Sequence, residues 1–83
     1  MASDEWLEMI PVTSTAISHV GFDEQTNRLV VRFQAGRSYV YFGVPPRKFN
    51  AMLAAASKGL YLDEEIKPFY RCDEVSSLGS VQK

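Results

Sequence analysis

Apolar and polar residues alternate between positions 17 and 42, and this pattern predicts three short strands. β-Branched and aromatic residues cluster at positions 17–22, 28–34 and 38–42, whereas Gly, Asn, Asp and Gln lie between these clusters. Connections this short join strands as hairpins, so the sheet is expected to be antiparallel.

Loop length fixes which side chains share a face of this sheet. A four-residue loop at 24–27 places Val20 opposite Val31. For the second hairpin, a two-residue loop, either Ala35-Gly36 or Gly36-Arg37, keeps the apolar residues of all three strands on one face. That predicted apolar face carries Val20, Phe22, Leu29, Val31, Phe33, Val40 and Phe42.

The segment after the third strand predicts a helix over 46–58. Pro45-Pro46 suits a first helical turn, and Gly59 is expected to end the helix. An apolar stripe at helical spacing is formed by Phe49, Met52, Leu53 and Ala56. Asp63 then favours a short helical turn that Pro68 limits. The expected fold is α+β: a three-stranded antiparallel sheet with one main helix packed on one face and a short C-terminal helical turn, in a domain at 10–71 with flexible termini at 1–9 and 72–83.

Composition narrows the functional classes. The 83 residues include one cysteine and one histidine, which leaves no internal disulfide, no four-cysteine zinc site and no cluster of histidine ligands. No spacing indicates a catalytic group, no apolar run approaches the ~20 residues that span a bilayer, and no secretory signal is apparent. We therefore expect a cytoplasmic, non-enzymatic protein with no cofactor, no metal ion and no membrane association.

Charge is strongly segregated along the chain. Positions 25–62 hold six basic residues and no acid, whereas positions 1–24 hold five acids and no Lys or Arg. The predicted pleat turns Tyr39 and Tyr41 outward beside Arg32, opposite one or the other according to the loop chosen. A protein surface that binds a nucleic-acid strand needs cations for the phosphates and exposed aromatic rings for the bases. We therefore predict RNA binding through Tyr39, Tyr41, Arg32, Arg37, Arg47 and Lys48.

Less specific interpretations stand beside this one. The two tyrosines can be a cross-strand packing pair, and Arg47 and Lys48, although they oppose the helix dipole, can be simply solvated. An exposed patch of aromatic residues and Val30 would equally suit a protein partner or a homodimer. Ser57-Lys58-Gly59 lacks the glycine-rich run of a phosphate-binding loop and is interpreted as a helix terminus.

An ordered set of short motifs resembles one known family. These motifs are Ile10-Pro11-Val12, Val20-Gly21-Phe22-Asp23, Leu29-Val30-Val31-Arg32-Phe33, Tyr39-Val40-Tyr41-Phe42, Val44-Pro45-Pro46 and Ser57-Lys58-Gly59. In this combination the chain resembles the KTSC domain, which occurs at the C-terminus of some lysyl-tRNA synthetases and as a free-standing small bacterial protein. The resemblance implies RNA, and tRNA among RNAs, as a binding partner. Acids at 63–65, where relatives often have asparagine or basic residues, make that edge a poor phosphate contact, so the sheet and the start of the helix are the better candidates.

Overall fold

One layer of the fold is an antiparallel sheet with strands in chain order. The computed structural model describes residues 9–75, and within that range the sheet has five strands. They are β1 (Ile10–Pro11), β2 (Ile17–Asp23), β3 (Arg28–Phe33), β4 (Ser38–Phe42) and β5 (Cys72–Glu74). The α+β class and the three central strands are confirmed, but the predicted number of strands is wrong. Both edge strands are two or three residues long, too short to produce a recognisable alternation.

The strand β5 also corrects the expectation of a flexible tail from position 72. Its residues pair with β4, and the N–H of Val75 donates to the carbonyl oxygen of Ser38 at 2.8 Å. The prediction of flexible termini otherwise concerns residues 1–8 and 76–83, which lie outside the described residues.

The predicted main helix, 46–58, ends earlier than expected, and a second helix begins at Lys58. α1 spans Pro46–Ala54 and ends because Ala55 is extended, with φ −70° and ψ 144°. Ser57 then caps α2 (Lys58–Tyr61), its hydroxyl accepting from the N–H of Leu60, and a π-helical segment (Leu62–Ile66) continues the chain. The interpretation of Ser57-Lys58-Gly59 as a helix end is therefore wrong.

Gly59 lies inside α2 for a packing reason. A Cβ atom at this position would come within 3.2 Å of the Cβ of Ala16. The glycine therefore allows α2 to approach the segment that precedes β2.

The hairpin between β3 and β4 reverses the predicted side-chain parity. The N–H of Gly36 donates to the carbonyl oxygen of Phe33, and the N–H of Phe33 donates to that of Arg37, both at 2.8 Å. Three residues therefore form the loop, and Gly36 adopts φ +106°, which glycine tolerates. Because side chains alternate with a period of two, an odd loop sends the β4 side chains to the face opposite the one predicted.

The core lies between the helices and one face of the sheet, which we call the helix-packed face. The first hairpin is as predicted, with Val20 paired with Val31. In the second hairpin, Tyr41 pairs with Leu29 and Tyr39 with Val31. The buried core cluster comprises Ile17, Val20, Leu29, Val31, Tyr41, Val44, Met52, Leu62 and Ile66. The opposite face of the sheet, here the outer face, carries Val40 and Phe42.

Candidate nucleic-acid interface

The tyrosines expected to contact RNA belong to the helix-packed face. Tyr41 is 2 % exposed and lies in the core cluster. Tyr39 is half-buried, and its ring meets that of Phe33 edge-on, with centroids 5.7 Å apart. The prediction that both rings face outward is wrong, and the packing interpretation explains Tyr41.

The outer face is organised in rows across the strands. Strand register places three rows side by side: Asp23, Arg28 and Phe42; Gly21, Val30, Val40 and Asp73; and His19, Arg32 and Ser38. The middle row is small and apolar apart from Asp73, and each flanking row contains an arginine. The outer face therefore has a largely buried apolar row between two rows that each contain an arginine, and the arginine of one row is paired with Asp23.

The most distinctive feature of the outer face is the surroundings of Phe42. The guanidinium carbon of Arg71 lies 5.6 Å from the centroid of the Phe42 ring, within the range of a cation–π contact. Arg28 is the direct cross-strand partner of Phe42. Sequence analysis missed Phe42 because of the inverted parity, and it missed Arg71 because this residue follows the predicted elements.

Asp23 holds Arg28 in place at one end of the outer face. The carboxylate of Asp23 accepts from the N–H of Gln25 at 3.0 Å and lies 3.4 Å from the Arg28 guanidinium. The bond from Gln25, followed by those from Thr26 and Arg28, lowers the pKa of Asp23, so its charged form persists to a lower pH than that of an ordinary aspartate. The Nε–H of Arg28 also donates to Thr26 at 2.9 Å.

Most of the other predicted cations lie elsewhere. Arg32 is exposed on the outer face, as predicted. Arg37 lies by the hairpin loop, 3.5 Å from the Glu74 carboxylate, and Arg47 is exposed in the first turn of α1. The ammonium group of Lys48 lies 3.1 Å from Glu65 and 5.5 Å from the centroid of Phe69. The structure therefore does not bring Arg37, Arg47 and Lys48 together with Arg32.

The described part of the chain offers neither a cluster of metal ligands nor a membrane-spanning helix. Residues 9–75 contain no group of three His, Cys, Asp or Glu side chains placed to share a metal ion. No helix in this range has the length and apolar character needed to cross a membrane.

Known proteins are similar to this chain in sequence and in fold. The profile of the KTSC domain matches residues 13–70, well over half of the chain. The chain belongs to the KTSC domain family. A protein from Tsukamurella paurometabola is 41 % identical to this KTSC chain over 63 residues, which cover 76 % of this chain and 94 % of that protein. An uncharacterised protein from Stutzerimonas stutzeri is 31 % identical over 62 residues, which cover 75 % of this chain and 87 % of that protein.

The fold is similar to a solved KTSC structure. The crystal structure of a KTSC domain protein from Yersinia pestis aligns with a TM-score of 0.79 and 32 % identity, covering 84 % of this chain and 99 % of that one. The KTSC match includes β2 to β4 and the helices, so the rows of the outer face belong largely to the shared domain. Arg71 and β5 follow the matched region.

Proposed function

We propose that this KTSC chain is a small, non-enzymatic RNA-binding module and that the outer face of its sheet is the binding surface. The observation that carries the proposal is Phe42, a half-buried ring with Arg71 at 5.6 Å and Arg28 directly across the ladder. A planar ring stacks on any base, and a guanidinium group both stacks and attracts phosphate.

The spacing of the cations suits a single strand. Arg28 and Arg32 lie four residues apart on β3, which corresponds to roughly 13 Å along a strand. Between the two arginines, Val30 is buried and Val40 is half-buried, so the apolar area open to a base in this row is that of Val40. Such a platform holds single-stranded RNA by stacking and phosphate contacts, without selecting a base sequence.

The charge of the outer face suits an anionic partner, and the family resemblance favours RNA as that partner. The described outer face carries three arginines and two acids, Asp23 and Asp73. Asp23 is already paired with Arg28. The resemblance to the domain that follows some lysyl-tRNA synthetases makes tRNA the first RNA to test.

A salt titration tests the proposal. Fluorescence anisotropy would follow binding to a 12-nucleotide oligouridine and to tRNA at several NaCl concentrations. Three phosphate contacts predict a log–log slope of about −2 on the single strand, and Arg32→Ala is expected to reduce its magnitude by about 0.7. Phe42→Ala is expected to weaken binding by about 1–3 kcal/mol at every salt concentration, because it removes stacking and no charge.

Arg47→Ala is the matched control, since it removes the same kind of exposed cation from α1 rather than from the outer face. It is expected to change the slope less than Arg32→Ala does. An equal effect of the two variants would remove the outer face from the proposal, and absence of binding at low salt would reject RNA as the partner.

The apolar row of the outer face favours one alternative function. Val30 is buried and does not form the exposed patch that was expected, but the half-buried Val40 and Phe42 could instead dock a protein partner or a second copy of the chain. Association through this row would be disrupted by Val40→Glu and would persist at high salt, because apolar contacts are not screened. Light scattering at several concentrations and at 0.1 and 1 M NaCl would separate self-association from RNA binding.

A further inference from the structure

The helix-packed side of the sheet contains a cavity that the proposed RNA surface does not use. Its volume is about 350 Å³, and it is lined by Phe33, Tyr39, Tyr41, Lys67 and Cys72. This volume is in the range of small-ligand pockets. β4 therefore borders two different surfaces, with its tyrosines at the cavity and Val40 and Phe42 on the outer face.

The hydroxyl group of Tyr41 is the unusual feature of this cavity. Tyr41 is 2 % exposed, yet none of the hydrogen bonds among residues 9–75 involves its hydroxyl. A buried hydroxyl without a partner is unfavourable, and most buried polar groups in native proteins are paired. Since Tyr41 lines the cavity and has no hydrogen-bond partner within residues 9–75, a group inside the cavity could pair with its hydroxyl.

The phenol can act as a hydrogen-bond donor at neutral pH. Burial, followed by the neighbouring Cys72, Tyr39 and Asp63, raises the pKa of Tyr41 to about 12. The group is therefore protonated under ordinary conditions, and the ligand atom facing it should be an acceptor.

Lys67 is the cationic donor that lines the cavity. The ammonium group of Lys67 lies 3.0 Å from the Asp63 carboxylate and 5.8 Å from the centroid of Phe33, and about half of this side chain is exposed. A surface ion pair of this kind contributes little, so Lys67 can turn toward a second anion at small cost. Lys67 and Tyr41 together favour a ligand with a charged acceptor, which a carboxylate supplies.

The apolar residues that line the cavity indicate the chemical class of the rest of the ligand. Phe33 and Tyr39 meet edge-to-face and line this cavity together. The same two rings continue into an adjoining depression, which is also lined by Thr15, Ala16, Gln34, Ala35 and Arg37. Paired rings beside an extended depression suit an aromatic body.

We propose that this cavity binds a carboxylate carried on an aromatic body, with the carboxylate accepting hydrogen bonds from Tyr41 and Lys67 and the body packing on Phe33 and Tyr39. Two sources share this chemistry: a free aromatic acid, and the C-terminal carboxylate of a peptide that ends in an aromatic residue.

The experiment is an NMR titration of the ¹⁵N-labelled full chain. The probes are phenylacetate, its neutral counterpart phenylacetamide, and acetyl-Gly-Gly-Phe as the free acid and as the amide. Both acids are expected to shift the amide signals of Phe33, Tyr39, Tyr41 and Cys72, and each amide probe is expected to bind at least about tenfold more weakly than its acid because it lacks the charged acceptor. If acetyl-Gly-Gly-Phe binds more tightly than phenylacetate, a chain terminus is the ligand, and if phenylacetate binds more tightly, a free acid is the ligand.

Two variants test the donors. Tyr41→Phe removes only the hydroxyl and is expected to weaken acid binding about tenfold, and Lys67→Gln is expected to weaken it by a similar factor. Lys58→Gln is the control, because the Lys58 ammonium group bonds the carbonyl oxygen of Ala55 and does not line this cavity.

A thermal melting experiment shows whether Tyr41→Phe weakens binding only because it destabilises the fold. Tyr41→Phe is expected to keep or raise the melting temperature, because no hydrogen bond among residues 9–75 is lost. A clear fall in melting temperature, equal binding of acids and amides, or an acid affinity that Tyr41→Phe leaves unchanged would each overturn the proposal. None of these outcomes depends on RNA binding, which involves the other face of the sheet.

Discussion

Tyr41 lies directly opposite Leu29 across the β3–β4 ladder, and both side chains are buried in the core. This pairing follows from the three-residue loop that ends at Gly36. It places the two tyrosines of β4 against the helices, and it leaves Val40 and Phe42 to define the outer face. The candidate RNA surface is therefore a consequence of loop length.

Substitutions along β4 should show this alternation as a difference in stability. Tyr41→Ala is expected to lower the free energy of unfolding by about 3–5 kcal/mol, because it leaves a large cavity in the core. Val40→Ala, at a half-buried position on the outer face, is expected to lower it by about 1 kcal/mol. Urea denaturation measures both, and a larger loss for Val40→Ala would contradict the observed register.

The three-residue loop between β3 and β4 depends on the backbone conformation of Gly36. Gly36 has φ +106°, and no atom lies within 4 Å of the position that its Cβ would occupy. Gly36→Ala is therefore expected to destabilise the fold by roughly 1–2 kcal/mol through backbone strain alone. Ala35→Ser, in the same loop, is a control expected to have little effect in the same denaturation experiment. A neutral Gly36→Ala would show that the loop can relax to another turn.

Much of the fold could be predicted from the sequence because its strongest signals are local. The alternation of apolar residues located β2, β3 and β4, and the four-residue loop correctly paired Val20 with Val31. The face of the sheet that the β4 side chains occupy could not be predicted as reliably. Gly36 is compatible with two-residue and three-residue loops, and a change of one residue exchanges the two faces.

The candidate site was predictable only in part for the same reason. Arg32 was placed on the outer face correctly, because it belongs to a strand whose register the first hairpin fixes. Phe42 and Arg71 were missed, because their positions depend on the inverted β4 and on the chain that returns to it after the helices. Contacts between segments that are distant in the sequence, such as that of Lys48 with Glu65, cannot be predicted from the local periodicity of apolar residues.

The raised pKa of Tyr41 predicts a loss of stability in alkali. The phenol titrates near 10 when unfolded and at about 12 when folded, so the unfolded chain releases its proton first. The stabilising contribution is complete below pH 10 and falls as the pH rises from about 10 to 12, by up to 1.4 kcal/mol per pH unit. Denaturation of Tyr41→Phe over this range should show a shallower dependence on pH. An unchanged dependence would mean that the folded phenol titrates normally.

Lys48 is expected to stabilise the fold rather than to bind RNA. Its ammonium group contacts the side chain and the carbonyl oxygen of Glu65 and lies over the ring of Phe69, so these groups link α1 to the π-helical segment and the chain after it. Lys48→Met keeps the apolar stem and is expected to lower the free energy of unfolding by about 0.5–1 kcal/mol, since the ion pair is partly exposed. A double-mutant cycle with Glu65→Gln should give a coupling energy of that size that shrinks in 1 M NaCl. If Lys48→Met left stability unchanged but reduced the salt slope of RNA binding as much as Arg32→Ala, Lys48 would be a phosphate contact and the binding surface would extend to the helices.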